Sequence, residues 1–130
     1  MIFEDETKAE YQDVIFTVSD SLTTNFVIIT AYNPFGQLAP PARNQHQDQT
    51  LHAVLEGRGF TPIRVIGMSP DQSHQEPSWS IECTEAEAVE LGRYFKQEAI
   101  YVVEEDRLSL VSCQTSERID LGAWSQRLLK

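Results

Sequence analysis

The chain has 130 residues, 41% hydrophobic and 23% charged, which suits one globular domain with a core of its own and argues against wholesale disorder. Its 20 acids against 10 bases leave a formal charge of −10, which opposes duplex binding, because phosphate contact relies on clustered lysine and arginine. The longest apolar run, residues 26–32, is far too short to span a membrane.

Residues 1–12 are polar and acidic and are expected to form a loosely ordered start to a single domain over 1–130. They are acidic where a secretory signal would be basic, so the expected location is the cytoplasm. Val14 to Val18 reads as a strand, rich in β-branched and aromatic residues. Phe26 to Tyr32 reads as a second, central strand, because its apolar run is nearly continuous. Asn33-Pro34-Phe35-Gly36 breaks it. Pro41 to Arg58 follows as a helix, with Leu51, Val54 and Leu55 at helical spacing and Gly57 and Gly59 at its end.

A third strand is expected from Pro62 to about Met68, and a fourth from Ser78 to Cys83. Thr84-Glu-Ala-Glu87 has the form of a capping box and opens a helix to about Lys96. Ala88, Leu91, Gly92 and Phe95 share its inner face, with Gly92 allowing close approach to the sheet. Ala99 to Val103 and Arg107 to Ser112 form a hairpin around an acidic turn. Leu121, Trp124 and Leu128 then fall on one side of a short C-terminal helix. The order ββαββαββ predicts an α+β fold: a mixed sheet of about six strands with two helices on one face.

The long segment Gly-Met-Ser-Pro-Asp-Gln-Ser-His-Gln-Glu-Pro-Ser-Trp, residues 67–79, is chemically the densest in the chain. A strand-helix-strand crossover leaves its two strands parallel. Two such crossovers then bring Asn33, the start of the first helix near Asn44, the loop after Ser69, and Gln97 to one edge of the sheet. Asn33, Asn44, Asp71, His74, Glu76, Ser78 and Gln97 are therefore the candidate ligand-binding residues, lining a polar cleft for an unidentified small molecule or protein partner.

Other readings stay open beside it. Asp71, His74 and Glu76 offer oxygen and nitrogen donors, but no second histidine is an obvious partner, and no metal site or cofactor is expected. Asp71 capping its own turn and His74 bonding within the loop would account for the same residues. His74 beside a carboxylate is a conceivable acid/base group for a small enzyme, and the residues leave catalysis undecided. An acidic interaction or inhibitor module, resembling nucleic acid in its charge, is the rival of a different class. Cys83 and Cys113 lack metal-type spacing and read as small buried residues near strand ends, although a disulfide is possible in principle. Tyr32, Tyr94, Phe95 and Tyr101 are expected to pack, Trp79 to sit in the core or at its lip, and Trp124 to anchor the terminal helix.

Three segments carry a resemblance: Thr-Ala-Tyr-Asn-Pro (30–34), the 67–79 segment, and Leu-Gly-Arg-Tyr-Phe-Lys-Gln-Glu-Ala-Ile-Tyr (91–101). Together they resemble the family named domain of unknown function 3293, over about Phe26 to Cys113. The resemblance implies a compact bacterial domain and brings no assigned activity, cofactor or site residue. Lys96 stands where that family is expected to carry a small residue before the glutamine.

Overall fold

The computed structural model describes residues 13–129, so the acidic start at 1–12 lies outside the described residues. Among those residues the chain forms β1 (Ile15–Val18), β2 (Asn25–Thr30), α1 (Pro41–Gly57), β3 (Ile63–Met68), β4 (Gln75–Ile81) and α2 (Glu85–Tyr94). Then come β5 (Ala99–Glu104), β6 (Arg107–Ser112) and β7 (Arg118–Ala123), with short 3-10 turns at Pro34–Gly36 and Trp124–Arg127. The fold is α+β.

The strands lie in the order β1-β3-β4-β2-β5-β6-β7, and every pair is antiparallel. This corrects the expected six-strand mixed sheet. The strands joined by each crossover do point the same way, as expected of a strand-helix-strand connection. However, β4 inserts between β2 and β3, and β2 inserts between β4 and β5. Each parallel partner is thereby separated by a strand of opposite direction, and no parallel neighbours remain within the sheet.

The seventh strand replaces the expected C-terminal helix. Residues 118–123 alternate, with Arg118 and Asp120 exposed and Ile119 and Leu121 turned inward. That period of two prevails over the helical spacing of Leu121, Trp124 and Leu128. Trp124 does anchor the segment, but from a 3-10 turn whose backbone N–H donates to the Asp106 carbonyl at 2.6 Å. The chain then returns to the far edge: Leu128 bridges Phe16, and Leu129 N–H donates to the Phe16 carbonyl at 2.8 Å. The sheet therefore curls into a half-barrel.

Both faces of the curl are apolar, which explains the unbroken run in β2. Val27 and Ile29 face the helices with Leu51, Leu55, Ala88, Leu91 and Phe95. Phe26 and Ile28 face the concave side with Phe16, Val65, Leu110 and Trp124. Trp124 lies 4.9 Å from the Phe16 ring and 5.2 Å from Phe26, and Phe16 meets Tyr101 edge-on at 5.2 Å. Among the described residues no helix covers this face, and aromatic side chains close it.

The start of β4 is also corrected. It begins at Gln75, not Ser78, and carries Pro77 opposite Ile66. A residue's N and C=O face the same side of a strand. The Pro77 carbonyl accepts the Thr30 hydroxyl at 2.9 Å, so its missing N–H faces the place where β2 ends. No ladder bond is lost there, and the strand tolerates proline.

Candidate functional site

Register fixes which loops share an end of the sheet. Thr30 pairs with Ser78, Met68 with Gln75, and Ile28 with Tyr101. The turn after β2, the start of α1, the β3–β4 turn and the lead into β5 therefore lie at one end.

Within that end, Asn33, Asn44 and Gln97 form one connected set. The Asn33 N–H donates to Asn44 Oδ1 at 2.9 Å, and Asn33 Oδ1 accepts from the Ala39 N–H at 3.0 Å and Asn44 Nδ2 at 2.9 Å. Buried Gln97 donates from Nε2 to the carbonyls of Tyr32 at 3.1 Å and Phe95 at 3.2 Å. The Phe35 N–H donates to the Lys96 carbonyl at 2.7 Å. These bonds hold Asn33, Phe35 and Lys96 at φ of 48°, 56° and 60°, a left-handed conformation costing about 1–2 kcal/mol per non-glycine residue. Lys96 therefore occupies a position suited to glycine, which gives a physical reason for a small residue there. Lys96→Gly is expected to raise stability by about 0.5–1 kcal/mol, since relief of strain outweighs the added freedom of the unfolded chain. Urea melts check this, and a lower midpoint at unchanged slope would refute it.

Ser78 joins the set indirectly. Its hydroxyl donates to the Glu76 carbonyl at 3.0 Å, while Thr30 links Pro77 to the Tyr32 N–H. Asp71 and His74 sit apart, on the tip of the β3–β4 turn. Asp71 Oδ1 accepts the Ser69 hydroxyl at 2.7 Å, the Ser73 hydroxyl at 2.7 Å and the Ser73 N–H at 3.1 Å. The His74 backbone bonds to Ser69 at both its N–H and C=O, and its side chain is exposed. Glu76 is half-buried. No group of three or more potential metal-ligating side chains occurs among the described residues.

Hydrogen bonds from the Ser69 hydroxyl, then from Ser73, hold the Asp71 carboxyl down to about 2. An NMR titration of that carboxyl should show its midpoint there, and Ser69→Ala should move it upward. Because the folded value lies below the ordinary 3.8, the turn's contribution to stability is present above that pH and is lost as pH falls through about 2. An unshifted midpoint in the wild type would remove the argument.

A second cluster lies between α1 and β3–β4, and the sequence reading did not include it. Asp48 accepts both ends of the Arg64 guanidinium, at 2.9 and 2.6 Å. Arg64 lies 3.6 Å over the Trp79 ring, and the His52 ring meets that ring at a tilt of 48°, centroids 4.5 Å apart. Burial, reinforced by the charge of Asp48, raises the Tyr32 phenol above its usual range. The signal was in the helix: Asn44, Asp48, Leu51 and Leu55 recur at i, i+4, i+7 and i+11 and are the buried positions of α1. An acid inside such a stripe calls for a cation on the facing strand.

Phe35, Leu38 and Tyr94 are exposed at 56%, 87% and 70%, which corrects the expectation that Tyr94 packs. The two thiols are free, and burial pushes both up to about 11, so they stay protonated at neutral pH. Two shallow concavities lie elsewhere, along α2. One of about 400 Å³ is lined by Glu85, Val89, Glu90 and Arg93, and one of about 300 Å³ by Asn25, Cys83, Glu85 and Glu104.

Fold and site together define a small α+β domain built on a curled antiparallel sheet, with its loop-rich end braced by side-chain amides. A family model described as "Protein of unknown function (DUF3293)" matches residues 29–100. The chain belongs to that family. No curated protein and no solved structure matches it.

Proposed function

We propose that the chain is a binding module whose working surface is the end carrying the 33–40 turn, and that it recognises a protein partner there. One observation carries the reading: Phe35 and Leu38 stand exposed on a turn whose strained backbone is braced by Asn33, Asn44 and Gln97. Large apolar side chains held outward on a rigid frame suit a partner contact, because little further ordering is needed on binding. In this reading the amides expected to line a cleft for a small molecule or protein partner serve as the frame, and His74 lies on the rim. His74→Ala is then expected to change stability by less than about 0.5 kcal/mol, as an exposed position away from packing does. A larger loss in a urea melt would assign the tip a structural role instead.

A second reading has its own support. Glu82, Glu85 and Glu87 at the start of α2 and Glu104, Glu105 and Asp106 at the β5–β6 turn collect at the opposite end. Glu85 and Glu104 both approach Arg118, at 2.6 and 3.8 Å, and the Glu105 N–H donates to Asn25 Oδ1 and the Thr24 carbonyl. That end would suit a basic partner. A photo-crosslinking residue placed at 38 or at 105, in cell extract, separates the two. Adducts at 38 that vanish with Phe35→Ser support the first reading; adducts only at 105 support the second; none at either overturns both.

A further inference from the structure

The charge around the exposed turn runs against that of the chain as a whole. Arg43 stands in the first turn of α1, directly before Asn44, whose side chain holds the turn, and Lys96 supplies the carbonyl that receives the Phe35 N–H. Both cations are exposed, and neither makes an ion pair among the described residues. Elsewhere most arginines are engaged: Arg64 with Asp48, Arg107 with Asp120, Arg118 with Glu85, Arg93 with the carbonyls of Cys113 and Gln114, and Arg127 with those of Val14 and Leu121. Arg58, at the far end of α1, is exposed and makes no ion pair among the described residues.

Arg43 is also unfavourably placed for helix stability. A cation in a first turn opposes the helix macrodipole, and α2 shows the favourable choice, opening with Glu85 and Glu87. The first turn of α1 contains no acid at all. In a chain of formal charge −10, the exposed Phe35, Leu38 and Tyr94 are thus bracketed by two unpaired cations and a helix N-terminus. Among the described residues, Glu98 is an acid that meets the turn, half-buried against Gly36, where a Cβ would come within 2.5 Å of its Oε1.

From this combination we infer that the partner segment is an acidic peptide with apolar side chains. Its apolar groups seat on Phe35, Leu38 and Tyr94, and its carboxylates face Arg43, Lys96 and the start of α1. The inference rests on the preceding reading that this end is the working surface. Like-signed repulsion from the rest of the chain makes the approach selective for this end, and the local cations set the register of the bound segment.

The test uses the full chain and two short synthetic peptides, one alternating glutamate with leucine and phenylalanine, the other with lysine in place of glutamate. NMR shift mapping should show the glutamate peptide perturbing residues 34–40 and 93–97, with the affinity falling as salt rises. Arg43→Glu and Lys96→Glu should each weaken it by about tenfold, a loss of about 1.4 kcal/mol. Arg43→Glu places an acid at a helix N-terminus, where it favours the helix, so lost binding would not reflect lost folding. Binding of the lysine peptide at residues 34–40 would overturn the acidic assignment while leaving the working surface in place. Shifts confined to 82–87 and 104–106, or no binding by either peptide, would overturn the inference outright; adducts at 38 in the crosslinking experiment would then show the surface reading standing without it.

Discussion

Asp48→Asn is expected to lower the unfolding free energy by about 2–3 kcal/mol. Breaking a fully buried ion pair by removing one partner costs about 3–5 kcal/mol, because a charge is left desolvated and unpaired. Here the Asp48 side chain is 10% exposed but Arg64 is 28% exposed, so water relieves part of the penalty. The neutral amide keeps the shape, loses the charge, and can offer only one acceptor to a guanidinium that now grips two. Arg64 retains the Trp79 ring and a 3.3 Å bond to the Ser78 carbonyl, which limits the loss. Replacing both residues, Asp48→Leu with Arg64→Met, should cost less than the sum of the single changes, since neither partner is then stranded. Urea melts of the four proteins measure this directly. A loss below about 0.5 kcal/mol for Asp48→Asn would mean that the pair behaves as an exposed one.

Gly92→Ala is expected to cost about 1–3 kcal/mol through overpacking. A Cβ at that position would lie 2.5 Å from Cys113 Sγ and 3.0 Å from Ile100 Cγ2. Cys113 is fully buried on β6's C-terminal flank, and its short side chain cannot swing clear. Alanine is the better helix former by about 1 kcal/mol, so an exposed site would show the opposite sign. The penalty should shrink in a Cys113→Ala background, where the tighter of the two contacts is gone. If Gly92→Ala costs the same with and without Cys113, the close approach of α2 to the sheet is not what this glycine provides.

These two positions mark different degrees of legibility. The role of Gly92 could be read from the chain, because a glycine inside an otherwise sound helical pattern, on its apolar face, implies close packing. The Thr84 cap was equally local, although Glu87 meets the Thr84 hydroxyl at 3.5 Å instead of closing the full box onto the backbone. The Asp48–Arg64 pair was not read, since each residue alone looks like ordinary surface charge. Only the inward stripe of α1, followed past its polar half, pointed to Asp48. The candidate site divided in a similar way. Strand direction was enough to bring Asn33, Asn44, Gln97 and the β3–β4 turn to one end, but the partners of their side chains depended on backbone at turns of left-handed conformation, which local pattern does not specify.

The sequence by itself determined the elements whose signals are local. Continuous apolar runs made strands buried on both faces, a period of 3.6 with a cap made α2, and each strand-helix-strand crossover set the direction of its two strands. Only the tertiary structure decided which strands became neighbours. Inserting β4 between β2 and β3, and β2 between β4 and β5, made every pair antiparallel. It also decided the end of the chain, where the helical spacing of Leu121, Trp124 and Leu128 competes with the strand-like alternation of residues 118–123. What selects the strand is the concave face itself, which needs Trp124 against Phe16 and Phe26 to exclude water. That demand exists only once residues more than a hundred positions apart have met.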